Sequence, residues 1–406
     1  MDTQYKILVF SWNSQSVRLC ESLDDQRIEY NRSGFGVQWP YQCEKADFYP
    51  KLTEQIVEKD PDIVVVGFQE DAEPGSYFHS HLLPEEMPKI GYNLVKRTKL
   101  IGIGKITYDS AWDLDFKLRG LRLSVYAKPQ LTGAMLITEQ DMRAQLGNDG
   151  QYSYICTSSL TRSKGAVCAY LMIPNRATIA IINSHLPFNS RSLITSRRQN
   201  NYMLRQNELN HSNLCFNNIY ENLVLYPPMK DKPVHVIYFG DLNYRLSDER
   251  DSDIVCEELL KNSNDKEYLE RLYREHDELL QQMQKGNIYK LKEGIDNKGP
   301  NFIPTCKMNK ERISTEFREN IDSIIEDLGE DSDGAGDVCF KLGRYNQRVP
   351  SYTDRILYAK VENRADKYQL RCEYYDRFDH GECMKKSDHA AVMAVLTLSS
   401  NENVVR

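Results

Sequence analysis

Short apolar runs followed or preceded by polar side chains dominate the pattern of this chain. Five such runs are five to nine residues long and consist mainly of Val, Ile, Leu, Ala and Phe. Runs of this length and composition are typical of buried strands rather than of helices. They are 6–10, ahead of SWN; 62–66, ahead of FQE; 177–182, ahead of NSH; 234–239, ahead of GDLN; and 390–398, after SDH.

Three segments between these runs have the spacing of amphipathic helices. Segment 49–60 ends at a proline, segment 192–220 is polar with spaced Leu, Met and Phe, and segment 267–284 ends near a glycine. Proline and glycine are typical helix terminators. Strands alternating with helices predict a layered α/β protein, and the strand ends of such a protein can gather polar side chains around one cleft.

Composition and charge are those of an ordinary globular protein. Hydrophobic residues make up 40% and charged residues 27% of the 406 residues, which excludes wholesale disorder. The net charge of −7 disfavours a broadly basic nucleic-acid-binding surface.

The acidic stretch 326–337 lacks the twelfth-position Glu of an EF-hand loop, so it is interpreted as a solvated loop. Without repeats or a Pro/Ser-rich linker, the chain is predicted to be a single domain over 1–406.

The sequence carries no targeting or membrane-spanning signal. Its apolar runs are far shorter than the roughly 20 residues that cross a bilayer, and the N-terminus lacks the basic and apolar regions of a secretory signal. The ten cysteines are scattered without a CxxC pair. Such thiols are expected to stay reduced, and a cytoplasmic protein is therefore predicted.

The polar residues beside the runs suit one kind of chemistry. Carboxylates and amides without cysteine favour a hard cation such as Mg²⁺ over zinc, and no HxH or HExxH spacing is present. The absence of a GxxxxGK[ST] loop disfavours NTP-driven chemistry. Hydrolysis of a phosphate ester requires a base, donors for the phosphoryl oxygens and a proton source. The candidate residues are Asn13, Glu70, His185, Asp241, Asn243, Asp354, Asp388 and His389.

Two long motifs resemble those that define the inositol polyphosphate 5-phosphatases, within the exonuclease–endonuclease–phosphatase superfamily. They are YFGDLNYR at 238–245 and RVPSYTDRIL at 348–357. SKGAV at 163–167 and PTCK at 304–307 resemble further family motifs in the same order, and the resemblance covers roughly residues 5–398. It implies an α/β (α+β) fold of deoxyribonuclease type: a four-layer β-sandwich in which two packed sheets are flanked by helices.

The resemblance implies how the metal and the attacking water are held. Glu70, with Asn13 nearby, would hold Mg²⁺. Asp241 would orient or deprotonate the water, Asn243 would contact the phosphoryl oxygens, and Asp388 would lie beside the metal and water. Whether Asp241 or a metal-bound hydroxide is the general base stays open at this point.

The resemblance also implies which residues contact the substrate. His185 would bind the scissile phosphate, and His389 would stabilise its charge or transfer a proton. Asp354 would fix the orientation of His389, because a carboxylate selects the tautomer of an imidazole and favours its charged form. Basic residues suit a phosphorylated inositol ring, and Lys307 matches a family lysine that contacts the phosphate at ring position 4. The predicted substrate-binding residues are Lys164, Lys307, Arg344 and Arg348.

The predicted function is Mg²⁺-dependent removal of the 5-phosphate from phosphoinositides such as phosphatidylinositol 4,5-bisphosphate, from inositol polyphosphates, or from both. Exposed apolar residues beside the site would let a cytoplasmic enzyme rest on a membrane, although the same residues would equally well pack a helix onto the sheet. Two alternatives are a nuclease of the same superfamily and a catalytically silent phosphoinositide-binding scaffold; a nucleic-acid partner is not expected. The candidate membrane contacts are Leu186, Phe188, Leu193 and Ile194.

Overall fold

Two six-stranded mixed β-sheets form the centre of the structure. The computed structural model describes residues 4–15, 17, 19–20, 29–30, 39–40, 44–45, 47–71, 82–100, 103–110, 113–118, 120–132, 152–156, 164–173, 177–187, 198–227, 233–247, 252–308, 349–362, 364 and 367–400. The strands of the two sheets are β1 (Tyr5–Asn13), β2 (Ile63–Asp71), β3 (Asn93–Leu100), β4 (Gly120–Ala127), β5 (Tyr152–Ile155), β6 (Gly165–Ile173), β7 (Ala177–His185), β8 (His235–Asp241), β9 (Lys292–Glu293), β10 (Asp354–Lys360), β11 (Tyr368–Phe378) and β12 (Ala391–Ser400).

The two sheets have related strand orders. Sheet one runs β11-β12-β1-β2-β4-β3, and sheet two runs β5-β6-β7-β8-β10-β9. Each contains one parallel pair at its centre, β1 with β2 and β7 with β8, and antiparallel pairs elsewhere. Three small sheets of two strands each are also described: Leu19–Cys20 with Glu44–Lys45, Glu29–Tyr30 with Trp39–Pro40, and Ile103–Ser110 with Asp113–Leu118.

Helices connect the strands and cover the outer faces of both sheets. None of the helices in the described ranges is long and apolar enough to cross a membrane. The helices are α1 (Tyr49–Lys59), α2 (Leu82–Lys89), α3 (Pro129–Thr132), α4 (Arg198–Tyr220, continued by a π-helical turn over Glu221–Leu225), α5 (Ser252–Lys261), α6 (Lys266–His276) and α7 (Glu278–Gln284), with 3₁₀ turns over Ile295–Asn297 and Glu382–Lys386.

Three hydrophobic clusters account for the layered architecture. Alternate residues of β1, Ile7 and Val9, lie with Ile179 and Ile181 of β7 in one cluster between the sheets. The opposite face of sheet one packs on α1, and the opposite face of sheet two packs on α4 and α7. Because the central strands are buried on both faces, their sequences are continuous apolar runs. The predicted four-layer α/β fold is confirmed.

The helices agree with the predictions except at one break. Helix α1 matches the predicted segment 49–60, and α4 matches the described part of 192–220. The single helix predicted over 267–284 is wrong, because α6 and α7 are separated at Asp277, whose backbone is extended. Its carboxylate accepts the Leu280 N–H at 2.9 Å and so caps α7.

Asp277 also belongs to a fully buried ion-pair network. The Arg355 guanidinium, in β10, binds Asp277 through Nη1 at 2.9 Å and Glu293 through Nε at 2.7 Å. The hydroxyls of Tyr273 and Tyr375 donate to Glu293 at 3.2 and 2.9 Å. Arg355 and Asp277 are both 0% exposed. The network fastens the helical layer to β10, the strand that begins with Asp354.

Removal of the guanidinium from this network should destabilise the protein strongly. Arg355→Met would leave the carboxylates of Asp277 and Glu293 buried without their cation, a defect that costs about 3–5 kcal/mol. Urea unfolding would measure the loss. Arg371→Met, at an exposed position of β11, is the matched control and should change the free energy of unfolding by less than about 0.5 kcal/mol. Equal effects of the two variants would contradict this reading of the network.

Candidate active site

The candidate site lies where the central parallel strands of both sheets end. Asn13 is the last residue of β1 and pairs in register with Gln69 of β2, one residue before Glu70. His185 and Asp241 are the last residues of β7 and β8 and lie opposite each other. Strand pairing thus brings two polar side chains together in each sheet, and the packing of the sheets brings the two pairs to one edge of the sandwich.

Small and polar residues let the two sheets approach closely near this edge. A Cβ atom on Gly67 of β2 would lie 2.2 Å from the ring of Phe239 on β8, so only glycine fits there. Beside it, the Gln69 side chain donates to the Asn183 side chain of β7 at 2.7 Å. This buried amide pair joins the sheets directly beneath the site.

Asp241 is the hub of the site. Its Oδ2 accepts a hydrogen bond from the Asn13 amide at 2.8 Å, across the two sheets, and lies 3.1 Å from His185 Nε2. Its Oδ1 accepts the backbone N–H of Asn243 at 3.1 Å. Asp241 is 2% exposed, and Asn13 and His185 are equally buried. The carboxylate is therefore held in one orientation from three directions.

The electrostatics of the site keep Asp241 ionised. Burial acts to raise its pKa, but the neighbouring His185, His389 and Lys164 side chains outweigh burial and hold the pKa of Asp241 well below its ordinary value. Burial and the Lys164 ammonium lower the pKa of His185, against the opposing effect of Asp241. We assign the negative charge to Asp241 and a neutral ring to His185.

Lys164 connects His185 to Glu70. Its Nζ contacts Nε2 of His185, and the same ring nitrogen lies 4.0 Å from Glu70 Oε1 and 3.1 Å from Asp241 Oδ2. A single ring nitrogen cannot accept from the lysine and donate to the carboxylate at once, so these are alternative partners. The carboxylates of Glu70 and Asp241 therefore both lie within 4.0 Å of the same nitrogen of His185.

Two candidate residues have left-handed backbone conformations. Glu70 has φ +49° and Asn243 has φ +58°, a region that residues with a side chain adopt at a cost and that recurs at functional sites. The Asn243 amide donates to the Leu186 carbonyl at 2.9 Å and accepts from Arg245 at 2.9 Å. Asn243 is therefore fixed at both ends of its side chain.

His389 and Asp354 form the second acid–imidazole pair. The ring Nδ1 lies 2.9 Å from Asp354 Oδ2, and the same oxygen accepts from the hydroxyls of Thr305 at 2.7 Å and Thr353 at 2.9 Å. Asp354 lies opposite Asp241 in the β8–β10 pairing. One ligand atom each from Asp241, Asp354 and His389 lie within 4.8 Å of one another, so the two pairs belong to one site.

The His389 ring carries a positive charge at neutral pH. Burial acts to lower its pKa, but the Asp354 carboxylate and the Cys306 sulfur raise it well above the ordinary value. The Cys306 sulfur also lies 3.7 Å from the Arg245 guanidinium. A charged imidazole held on a buried carboxylate can donate a hydrogen bond or a proton to an anion.

Asp388 and Lys307 lie on the other side of His389. The Lys307 ammonium forms an ion pair with Asp388 Oδ2, and Asp388 Oδ1 lies 3.7 Å from His389 Nε2. The backbone N–H of Asp388 donates to Gln15, which follows β1 closely. Lys307 retains 20% side-chain exposure while Asp388 retains 3%, so the lysine extends from the buried site toward solvent.

The structure brings together most of the residues that the sequence predicted and corrects one. The eight predicted catalytic and metal-binding residues, with Lys164 and Lys307, form the contacts above. The other predicted residues lie outside the described part of the chain: Arg344, Arg348, Phe188, Leu193, Ile194 and the acidic stretch 326–337.

The prediction that Leu186 contacts a membrane is wrong, because Leu186 is 0% exposed and packs in the cluster between sheet two and α4. The backbone N–H of Leu186 donates to the Asp241 carbonyl at 3.0 Å and so extends the pairing of β7 with β8. The Leu186 side chain then lies in the core.

Sequence reasoning missed the hydroxyls and the guanidinium that hold these groups. Thr305 and Thr353 bind Asp354, and Arg245 binds Asn243. All three lie inside motifs that the sequence had marked, PTCK, VPSYTDRIL and GDLNYR. Their position within those motifs was the available signal.

The donor set fits a hard divalent cation. Glu70 and Asp241 offer carboxylates, and Asn13 offers an amide oxygen, with no described cysteine sulfur among these donors. Asp354 Oδ1 is buried and accepts no hydrogen bond from the described residues. Asp241, Asp354 and His389 also place one ligand atom each within 4.8 Å of one another. Oxygen donors of this kind suit Mg²⁺ or Ca²⁺.

Residues 11–395 match the model of the endonuclease/exonuclease/phosphatase family 2, and the chain belongs to that family. Curated relatives include the phosphatidylinositol polyphosphate 5-phosphatase type IV of Rattus norvegicus, 30% identical over 159 residues that are 39% of this chain and 18% of the relative. The type IV inositol polyphosphate 5-phosphatase 11 of Arabidopsis thaliana is 30% identical over 174 residues, 43% of this chain and 40% of the relative. The matched segments thus span less than half of these relatives.

Solved structures with this fold differ in what they bind. The inositol polyphosphate 5-phosphatase domain of synaptojanin, in complex with inositol (1,4)-bisphosphate and a calcium ion, is 18% identical with TM-score 0.52, over 99% of this chain and 87% of that domain. A Cimex nitrophorin ferrous NO complex is 15% identical with TM-score 0.51, over 98% of this chain and 99% of that one. Because one fold serves such different ligands, function has to be argued from the site residues.

Proposed function

We propose that this protein is a Mg²⁺-dependent phosphomonoester hydrolase that removes the 5-phosphate from phosphoinositides such as phosphatidylinositol 4,5-bisphosphate, from soluble inositol polyphosphates, or from both. Two acid–imidazole contacts carry the proposal, Asp241 with His185 and Asp354 with His389. The two carboxylates lie opposite each other on the paired strands β8 and β10. The family membership and the names of the curated relatives support it.

Glu70 and Asn13 are the residues that we propose to hold the Mg²⁺ ion. Both residues lie at the ends of the neighbouring strands β1 and β2. Glu70 Oε1 is 4.0 Å from the His185 ring, and the Asn13 amide nitrogen donates to Asp241. When bound, the ion would supply positive charge for the phosphoryl oxygens and lower the pKa of a coordinated water. The calcium ion in the synaptojanin complex supports a divalent cation in this type of site.

Asp241 and its neighbours are suited to direct a water molecule at phosphorus. Asp241 is ionised and has one fixed orientation, so its carboxylate can accept a hydrogen bond or a proton from the attacking water. His185 and Lys164, which lie beside Asp241, are suited to bind the scissile phosphate, the lysine through the charge of its ammonium group. Asn243, whose backbone N–H binds Asp241, would contact the phosphoryl oxygens.

His389 is suited to stabilise the charge that develops on the phosphate as its ester bond breaks. The ring is positively charged, and its Nδ1 is committed to Asp354, so Nε2 is the atom that can donate to a phosphoryl or leaving oxygen. Because Thr305 and Thr353 fix Asp354, the ring needs no reorganisation during the reaction. The products are the inositol alcohol and inorganic phosphate.

The substrate class follows from the basic residues and from the relatives. Inositol (1,4)-bisphosphate, bound to the synaptojanin domain, is what remains when a 1,4,5-trisphosphate loses its 5-phosphate. Lys307 extends from the site with an ammonium group that a second ring phosphate can bind in place of Asp388. We extend the proposal to a cytoplasmic enzyme that reaches lipid substrates, where it uses them, by peripheral contact with a membrane.

Release of inorganic phosphate tests the proposed function. The wild-type chain is incubated with a short-chain 4,5-bisphosphorylated inositol lipid and, separately, with inositol 1,4,5-trisphosphate, each in Mg²⁺ and in excess EDTA. Release in Mg²⁺ and none in EDTA is expected from at least one substrate. Nicking of plasmid DNA without phosphate release would favour the nuclease, and lipid binding without turnover would favour the silent scaffold.

Lys307→Met should weaken recognition of the ring-4 phosphate. The loss of one charge-assisted hydrogen bond is worth about 1.5–3 kcal/mol, so KM for a 4,5-bisphosphorylated lipid should rise at least about tenfold while kcat changes little. KM for a lipid with only a 5-phosphate should not change. Lys298→Met, at an exposed lysine, is the matched control. An equal rise in KM for both lipids would contradict the assignment.

A further inference from the structure

Glu70 is an extra residue in strand β2. In the antiparallel pairing of β4 with β2, Leu121 lies opposite Gln69. The preceding residue, Gly120, lies opposite Asp71, so β2 contains one residue more than β4 at this point. The backbone of Glu70 is left-handed, with φ +49°. An extra residue in one strand of an antiparallel pair is a β-bulge, and Glu70 is therefore the bulged residue of β2.

The bulge decides toward which face of sheet one the Glu70 side chain points. Successive side chains of a strand alternate between its two faces. Phe68 packs on the outer face, in the cluster with α1, and Gln69 points to sheet two, where it donates to Asn183. Unbroken alternation would return Glu70 to the outer face. Its Oε1 lies instead 4.0 Å from His185 Nε2 of sheet two, so the bulge aims this carboxylate into the site.

Asp71, the residue after the bulge, forms an ion pair with Arg122 of β4. Asp71 Oδ2 lies 2.9 Å from Arg122 Nε, and the two side chains are 11% and 12% exposed. The Arg122 guanidinium also lies over the Phe68 ring, 4.7 Å from its centroid, on the outer face of sheet one. With unbroken alternation Asp71 would share the face of Gln69, away from Arg122. The ion pair therefore depends on the bulge and, in turn, holds it closed.

Neutral hydrogen bonds fix the strands on both sides of the bulge. From sheet two, the Asn183 amide donates to the backbone carbonyl of Arg122 at 2.9 Å, which holds β4 in place. From β1, the backbone N–H of Ser14 donates to the Gln69 carbonyl at 2.9 Å, which holds β2 just before the bulge. The Arg122 guanidinium then fastens Asp71, just after the bulge, to this fixed frame.

We infer that Arg122 is a positioning residue for the divalent cation, because its ion pair with Asp71 holds the bulge that aims Glu70 at the ion. The inference rests on the proposed role of Glu70 as a ligand of Mg²⁺. Arg122 acts through the backbone of β2 and not by contact with the ion or the substrate. Replacement of a residue that orients a metal ligand from outside the coordination sphere typically costs about 10–100-fold in metal affinity. Without the guanidinium, the Glu70 carboxylate loses its fixed direction.

Hydrogen exchange of the full chain in EDTA tests the hold on the bulge without any metal. Deuterium uptake by the peptide that contains 68–71 should be several-fold faster in Arg122→Met, because local opening governs exchange. It should stay close to wild type in Arg122→Lys, which keeps a charge beside Asp71. Lys128→Met is the matched control, since Lys128 pairs with Asp62 at the opposite end of the same two strands, and it should leave this peptide unchanged. Equal uptake by wild type and Arg122→Met would overturn the inference.

Binding of Mn²⁺, followed by its EPR signal, tests the consequence for the ion. The Kd for Mn²⁺ should rise about tenfold in Arg122→Met and in Asp71→Asn, and should stay near the wild-type value in Arg122→Lys and Lys128→Met. Glu70→Gln removes the proposed ligand itself and should also raise the Kd. A raised Kd in Glu70→Gln with an unchanged Kd in Arg122→Met would overturn the inference. An unchanged Kd in Glu70→Gln would instead count against the proposed metal ligand, while hydrogen exchange still decides whether Arg122 holds the bulge.

Discussion

Asp241→Asn is expected to lower kcat for phosphate release by about 10³-fold, within the range typical of a lost general base or water-orienting group. The carboxylate is 2% exposed, is kept ionised by its neighbours and is hydrogen-bonded to Asn13. An amide of the same size cannot accept a proton or carry the charge. The rate is measured at saturating 4,5-bisphosphorylated inositol lipid in Mg²⁺.

A matched control separates this effect from a loss of folding. Asp265→Asn makes the same chemical change at the N-cap of α6, where Asn caps as well as Asp does, and should leave kcat unchanged. Thermal unfolding should show that Asp241→Asn is folded, because removal of a buried charge leaves the packing intact. A wild-type kcat for folded Asp241→Asn would contradict the role assigned to this residue.

Asp354→Asn is expected to move the alkaline limit of activity to lower pH, with a fall in kcat of about 10²-fold or more at neutral pH. Burial opposes the charge on His389, and Asp354 is the strongest of the groups that raise its pKa. The wild type should lose activity only as the pH rises through that raised pKa. Without the carboxylate the ring loses its proton at lower pH. Profiles of kcat/KM against pH for the two proteins measure the shift.

The same substitution should change how stability depends on pH. The folded-state pKa of His389 is raised above the unfolded value of about 6.5, so its contribution to stability is complete below that value and is lost as the pH rises through the folded-state pKa. Urea unfolding across this window should show a decline for the wild type and a smaller one for Asp354→Asn. Thr353→Val, which keeps the carboxylate, is the comparison and should shift the profile less. Identical pH profiles for Asp354→Asn and wild type would refute the proposed pairing.

The strands could be predicted from sequence because the central ones are buried on both faces. Residues 7–10 and 179–182 are continuous apolar runs, and both lie in strands packed between the other sheet and a helix. The observed strands continue through the polar motifs, to Asn13 and to His185. Local sequence did not predict these ends, because they depend on pairing with β2 and β8.

The break between α6 and α7 could not be predicted from the helical pattern. Apolar residues continue through it at helical spacing, and the one local signal is Asp277, a residue type favoured at helix N-caps. At the break, Asp277 binds Arg355, 78 residues further along the chain. Residues that interact at this distance in sequence leave no periodic signal.

The members of the site were predictable from motifs, but their pairing was not. Sequence selected Asn13 and Asp241 separately, and only the fold brings together these two residues, 228 positions apart. The error at Leu186 has the same origin. Its apolar character fits a membrane contact as well as a core position, and the pairing of its N–H with the Asp241 carbonyl decides for the core.

The regiochemistry of phosphate release tests the central claim most directly. Phosphorus NMR of inositol 1,4,5-trisphosphate during incubation with the wild-type chain and Mg²⁺ follows the three ester phosphates separately. The expected result is loss of the 5-phosphate signal and growth of inorganic phosphate, with the 1- and 4-phosphate signals retained and no change with Asp241→Asn. Loss of the 1- or 4-phosphate instead, or equal loss with Asp241→Asn, would contradict a 5-phosphatase site built around Asp241.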